Sequence, residues 1–122
     1  MNDTQQTRPV VLIIDDDMSA LNYYARPLDR DYQVIPCHDP DEAVIAARQH
    51  GKHISLITLD IMMPPGKEFE SSDTKKGLET GVLLYRHLRQ ECPQAHIIVL
   101  THVENDDTLK KFPDEPLLVR VR

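Results

Sequence analysis

The sequence predicts an α/β fold, a parallel five-stranded sheet with helices on both faces. Three observations predict it. Short β-branched runs alternate with stretches of helical periodicity along the whole chain. Two of these runs, Val10-Val11-Leu12-Ile13-Ile14 and Ile54-Ser55-Leu56-Ile57-Thr58-Leu59, are apolar enough to be buried on both faces, as strands in a helix-covered parallel sheet must be. Both run directly into acid, Asp15-Asp16-Asp17 after the first and Asp60 after the second. The order β-α-β-α-β-α-β-α-β then demands right-handed crossovers, with helices on either side of the sheet.

Each element has its own signal. Residues 1 to 8 are polar and read as an unfolded tail, leaving 9 to 122 as the folded domain. Met18, Leu21, Tyr24, Ala25 and Leu28 recur at helical spacing, giving a helix from about 18 to 30 with Asp17 or Ser19 at its start. Pro27 falls inside that helix and must kink or shorten it. Gln33 to Pro36 is a short strand. Asp39-Pro40-Asp41-Glu42 then opens a second helix with a capping acid, Pro at the first helical position and more acid in the first turn; the helix ends near Gly51. The strand at 54 to 59 precedes a long irregular stretch, Pro64 to Gly77, rich in charge, Ser, Gly and Pro. A helix follows over 78 to 91, carrying Leu78, Val82, Leu84 and Leu88 and stopped by Pro93. His96 to Leu100 is the fourth strand, Glu104 to Phe112 a short polar helix, and Leu117 to Arg122 the fifth strand. Four helices serve five strands, so one face lacks a helix.

Composition narrows the function. A chain of 122 residues makes one domain and buries a core without disulfides. The net charge of −6 argues against direct binding to nucleic acid or an anionic membrane, which want a basic surface. Cys37 and Cys92 read as reduced thiols in a cytoplasmic protein, and no apolar run approaches a membrane span. The six His are scattered without the local pairing of a zinc motif.

The chemistry lies in the strand-end acids. Each strand delivers carboxylates to its C-terminal end, the edge where open α/β sheets bind ligands. Two carboxylates at about 4 Å repel by roughly 4 kcal/mol at an effective dielectric near 20, so the corner calls for a cation. Oxygen ligands without thiolate or imidazole favour Mg²⁺ or Mn²⁺ over zinc.

These residues resemble the receiver domain of bacterial two-component response regulators, a flavodoxin-like fold whose sheet has the order 2-1-3-4-5. Ile14-Asp15-Asp16 resembles that family's acidic pair. Leu59-Asp60-Ile61-Met62-Met63-Pro64 resembles its phosphoacceptor strand end, and Val99-Leu100-Thr101 the strand end that carries a conserved hydroxyl. The resemblance covers nearly the whole chain and implies the roles. Asp60 accepts a phosphoryl group from a sensor histidine kinase, a phosphotransfer protein or a small phosphodonor. Asp16 and Asp60 hold Mg²⁺ with the backbone carbonyl of Met62, Asp15 acts mainly through water, and Thr101 hydrogen-bonds the phosphoryl oxygen. Asp17 reads as a helix-start residue rather than a ligand. Such a domain phosphorylates and dephosphorylates itself in a Mg²⁺-dependent way, yet is not an enzyme in the ordinary sense.

The sequence departs from that family in several places. The family carries a Lys after the fifth strand; this sequence reaches Arg122 without it, so that either the natural protein continues or it signals without that cation. Lys110 and Lys111 read as a solvated helix end. The fifth helix is absent with the Lys, and its loss is expected to bare an apolar stripe on strands one and five. An exposed patch of this kind recruits another surface, so association of two copies or low stability is expected; a sedimenting monomer with a high melting temperature would count against it. Arg120 stands where the family usually has an aromatic switch residue. The family's Gly after the acceptor corresponds to Gly81, twenty-one residues beyond Asp60, because of an insertion at about 65–77. That insertion reads either as a surface excursion or as a lid over the acceptor, with Lys67, Lys75 or Lys76 supplying positive charge. His102, after Thr101, reads as a surface loop residue or as a ring shielding the acceptor from water.

Three functions follow. The first is a phosphorylatable switch whose conformational populations shift on phosphorylation. The second is a degenerate receiver that docks to a partner independently of phosphorylation. The third is a metal-dependent phosphohydrolase, which ranks last because such enzymes want an acid two residues after the nucleophile, where this chain has Met62.

Overall fold

The computed structural model describes residues 8–61, 63, 80–100 and 110–121. The strands are β1 (Val10–Ile14), β2 (Gln33–Cys37), β3 (Ile54–Asp60), β4 (His96–Leu100) and β5 (Leu118–Val121). Between them lie α1 (Met18–Ala25), α2 (Pro40–His50), a 3₁₀ turn at Gly51–His53, and α3 (Thr80–Glu91). The five strands are parallel and run in the order β2-β1-β3-β4-β5, which is the doubly wound sheet expected from the sequence.

β1 sits inside the sheet and all five of its residues are buried. Its alternate residues serve two cores. Val10, Leu12 and Ile14 join the large core under α2 and α3, together with Ile57, Leu59, Leu84, Leu88 and Ile97. Val11 and Ile13 join a smaller core under α1 with Leu21, flanked by Ala25, Leu28, Val34 and Leu56. Pro36 lies in β2, an edge strand, the place where a sheet tolerates a residue without an N–H.

Local chemistry sets the helix limits. Asp17 caps α1 by accepting from Ser19 N–H at 2.9 Å and Ala20 N–H at 3.4 Å. The helix stops at Ala25, two residues before Pro27, so the proline shortens it instead of kinking it. Asp39 caps α2 through Glu42 N–H at 2.8 Å, with Pro40 in the first turn and Gly51 at the C-terminal cap. The helix expected over 104–112 ends differently: Lys110 to Phe112 form a turn and bend, and 104–109 lie outside the described residues. Residues 1–7 and the 65–77 insertion also lie outside them. Among the described residues no helix is long and apolar enough to cross a membrane.

The expected bare stripe is displaced. β1 stays covered, with Val11 and Ile13 each 1 % exposed beneath Leu21. Across the same face Ile13 pairs with Thr58, Thr58 with Ile98 and Ile98 with Val119. Exposure grows along that row to 52 % at Val119. Among the described residues α1 covers the β1 end of the row, and Val119 at the β5 end is exposed.

Cys37 and Cys92 are unbridged and buried. Burial pushes the Cys37 thiol up to about 12, with the charges of Glu42 and Asp39 adding to the effect. Burial likewise raises Cys92 to about 11. The folded state therefore binds these protons more tightly than the unfolded chain. Its advantage is complete below the ordinary thiol value of 9.0 and is lost as pH climbs from there toward 11 and 12. The native protein is expected to resist a thiol reagent at pH 8, and its urea midpoint to fall above pH 9. Rapid labelling of either thiol before unfolding would contradict this burial.

Candidate functional site

Asp15, Asp16 and Asp60 meet at the C-terminal edge of the central strands. Each offers a carboxylate oxygen, and these oxygens all lie within 4.8 Å of one another. The register explains the convergence. Ile14 pairs with Leu59, so the residues that follow, Asp15 and Asp60, leave neighbouring strands at the same level. Asp60 in turn pairs with Leu100, which puts the end of β4 beside Asp60. Thr101, the next residue, and Met62 lie outside the described residues.

Hydrogen bonds hold the acidic corner in place. Asp15 N–H donates to the Cys37 carbonyl at 3.0 Å, tying the end of β1 to the end of β2. The Asp15 carboxylate accepts from Asp17 N–H at 2.9 Å, a local turn that brings Asp17 into its capping position. Asp17 is thereby spent on the helix start, as its sequence position suggested. Asp15 and Asp60 are half-buried and Asp16 is exposed. Carboxylates brought within 4.8 Å of one another repel, and water at the exposed Asp16 screens part of that repulsion. A hard divalent cation with open water positions fits this all-oxygen donor set.

The segment that leaves Asp60 is gripped by α3. Gly81 N–H donates to the Ile61 carbonyl at 2.8 Å. A Cβ at Gly81 would lie 2.6 Å from Ile61 Cα and 2.9 Å from the Asp60 carbonyl oxygen, so only glycine allows this approach. The Thr80 hydroxyl donates to the Met63 carbonyl. Sequence reading had placed Gly81 but missed Thr80. Its one signal was a hydroxyl residue beside the first Gly after a polar stretch, at a helix start.

A second group of polar side chains forms where none was expected from histidine spacing. His38 Nδ1 lies 2.6 Å from Glu42 Oε1, and His38 Nε2 lies 3.5 Å from Asp39 Oδ2. Glu42 also accepts from His38 N–H at 2.9 Å while Asp39 caps the helix. The group is a reciprocal cap on the start of α2. A search for His pairs misses it because its other members are acids.

Solved structures share this architecture. A response regulator protein from Burkholderia pseudomallei, whose structure has a phosphorylated aspartic acid, a calcium ion and citrate, is 26% identical with a TM-score of 0.66, over 92% of this chain and 59% of that one. The chain has the receiver-domain fold. Other receivers superpose as well. A CheY-like receiver domain protein from Methanospirillum hungatei gives a TM-score of 0.69 at 18% identity, over 93% of this chain and 82% of its own. A chain of the CheX-CheY-BeF3-Mg complex from Borrelia burgdorferi gives 0.66 at 20% identity, over 100% of this chain and 84% of its own. The chain spans less than two thirds of the Burkholderia protein. No family model matches the sequence and no curated protein does.

Proposed function

We propose that the chain is a phosphoacceptor receiver that takes a phosphoryl group on Asp60 and signals by shifting between conformations. The observation that carries this reading is the meeting of Asp15, Asp16 and Asp60 at one strand edge, with carboxylate oxygens within 4.8 Å. The donor is the phosphohistidine of a sensor histidine kinase or phosphotransfer protein, or a small phosphodonor. An Asp60 carboxylate oxygen forms the new P–O bond as the donor's P–N bond breaks, and the electron pair leaves on the imidazole nitrogen. Such transfer asks the protein for alignment and charge neutralisation more than for covalent chemistry.

Asp15, Asp16 and Asp60, with the Met62 carbonyl, are the residues that would hold Mg²⁺ or Mn²⁺. The ion supplies neutralisation of the phosphoryl oxygens. Asp15 accepts from Asp17 N–H, which suits a supporting role through water. Thr101 donates to a phosphoryl oxygen. The domain acts on itself and turns over no separate substrate. Its compartment is the cytoplasm, and a second copy of the chain is the proposed partner for the row that ends at Ile98 and Val119; neither nucleic acid nor membrane has a part.

The test uses Mg²⁺ with beryllofluoride, a phosphoryl mimic. A ligand that binds only the native state at a hundredfold excess over Kd stabilises it by about 2.7 kcal/mol, a rise of about 10 °C for a domain of this size. Wild type is expected to show that rise and Asp60→Asn none. The absence of family-type residues at the switch position, where Arg120 stands, favours one other reading: a receiver that docks constitutively. Silence from both proteins would favour docking and overturn the acceptor role.

A further inference from the structure

Thr80 is, among the described residues, the polar side chain that is fully buried, at 0 % exposure. A buried hydroxyl is costly unless it is hydrogen-bonded, and Val would fill the same volume without that cost. The hydroxyl has one recorded use, donation to the carbonyl of Met63. Its neighbour Gly81 donates its N–H, one of the first-turn donors that have no partner within a helix, to the carbonyl of Ile61. Ile61 and Met63 are themselves buried, at 0 % and 2 % exposure. Two adjacent residues of α3 thus grip two carbonyls of the segment that leaves Asp60, one on each side of residue 62.

We propose that Thr80 is a positioning residue for the acceptor: through the Met63 carbonyl, and with Gly81 on Ile61, it fixes the exit of β3 and so the placement of Asp60 against Asp15 and Asp16. This rests on the reading of the acidic corner as a divalent-cation and phosphoryl site. The chain leaves Asp60 through Ile61 and Met63, and the start of α3 holds both carbonyls from the other end. Removing the hydroxyl leaves the packing intact but frees the turn, so the cost falls on ligand geometry. Partners that orient metal ligands from behind change affinity by about 10- to 100-fold when mutated.

The test compares wild type, Thr80→Val and Thr80→Ser, each titrated with Mg²⁺ alone and with Mg²⁺ plus beryllofluoride. Amide NMR shifts report the affinity. Thr80→Val is expected to weaken both by about tenfold, and Thr80→Ser, which restores the donor, to stay within about twofold of wild type. A second measurement needs no variant. By reciprocity, ligand binding must strengthen the grip that favours it, so hydrogen exchange at the Gly81 amide is expected to slow on adding Mg²⁺ and beryllofluoride. Equal affinities for wild type and Thr80→Val, with only the ligand-free melting temperature lowered, would reduce Thr80 to a packing residue and overturn the proposal. An unchanged Gly81 exchange rate in a wild type that does bind would overturn it too. A wild type that binds neither ligand would sink the acceptor reading itself, a different result from either.

Discussion

Gly81→Ala is expected to lower the stability of the domain by about 1 to 3 kcal/mol and to abolish or greatly weaken its response to beryllofluoride. The added methyl would sit 2.6 Å from Ile61 Cα and 2.9 Å from the Asp60 carbonyl oxygen. Both are backbone atoms, so no side-chain rotation makes room. Either the start of α3 moves out or the end of β3 moves in. Outward movement stretches the Gly81 N–H bond to Ile61 and the Thr80 bond to Met63; inward movement disturbs Asp60. Overpacking costs about 1 to 3 kcal/mol, and a lost hydrogen bond at a buried carbonyl about 1 more. Helix propensity works the other way, favouring Ala over Gly by about 1 kcal/mol. The two forces predict opposite signs, which makes the variant decisive. Urea unfolding measures the result. An unchanged or raised midpoint would mean that the close approach of Gly81 to β3 does not constrain the fold.

The second large effect is expected at Arg89, which fastens the C-terminal end of α3 to the chain on both sides of β4. One of its terminal nitrogens donates to three carbonyls, Cys92 at 3.1 Å, Pro93 at 3.3 Å and Ala95 at 2.7 Å. The other is paired with Glu115, whose second oxygen accepts from the Tyr85 hydroxyl at 2.7 Å. The guanidinium also lies 5.7 Å from the centre of the Tyr85 ring, which packs edge-on against Phe112 with centroids 5.4 Å apart. Burial and the bond to Glu115 raise the Tyr85 hydroxyl above its ordinary value, so it stays a donor at alkaline pH.

Arg89→Met keeps the apolar stem and removes every one of these donors. Breaking a buried pair costs about 3 to 5 kcal/mol. Here the side chains of Arg89 and Glu115 are 18% and 23% exposed, and water repays part of the loss. The expected cost is about 2 to 3 kcal/mol, read as a lower denaturant midpoint with an unchanged slope. Glu115→Gln, which still accepts from Tyr85, is expected to cost less than half as much. Equal losses in the two variants would mean that the ion pair, and not the clasp on the three carbonyls, holds this end of the helix.

The sheet was legible because β1 is buried on both faces and written as one unbroken apolar run, because β3 and β4 keep alternate residues buried within mostly apolar runs, and because Asp17, Asp39 and Pro40 mark helix starts chemically. The acidic corner was legible for a related reason: in a parallel sheet the residue after each strand must come to the same edge, so Asp15, Asp16 and Asp60 needed only the strand ends to be found. What escaped depends on contacts between distant segments. Arg89 and Glu115 are ordinary surface-type charges until folding brings α3 beside the approach to β5. Thr80 sits at the end of a polar stretch, and nothing local says that its hydroxyl is buried. The bare stripe was assigned to β1 and β5 because helix counting does not tell how far one helix reaches; Leu21 and Leu28 extend over β1, leaving Val119 exposed. Phe112, expected on a helix, turns inward against Tyr85 and is followed by Pro113, which ends any helix there.

The meeting of Gly81 with Ile61 closes a lasso. The chain departs from one backbone atom and returns to within bonding distance of the same residue, so the knot is tied whatever the length of rope between. Loop closure becomes harder only logarithmically, by about 0.6 kcal/mol for each doubling. Adding residues between Met63 and Thr80 is therefore expected to weaken the fold only on this slow logarithmic scale, because the two ends are already tied at Ile61 and Gly81.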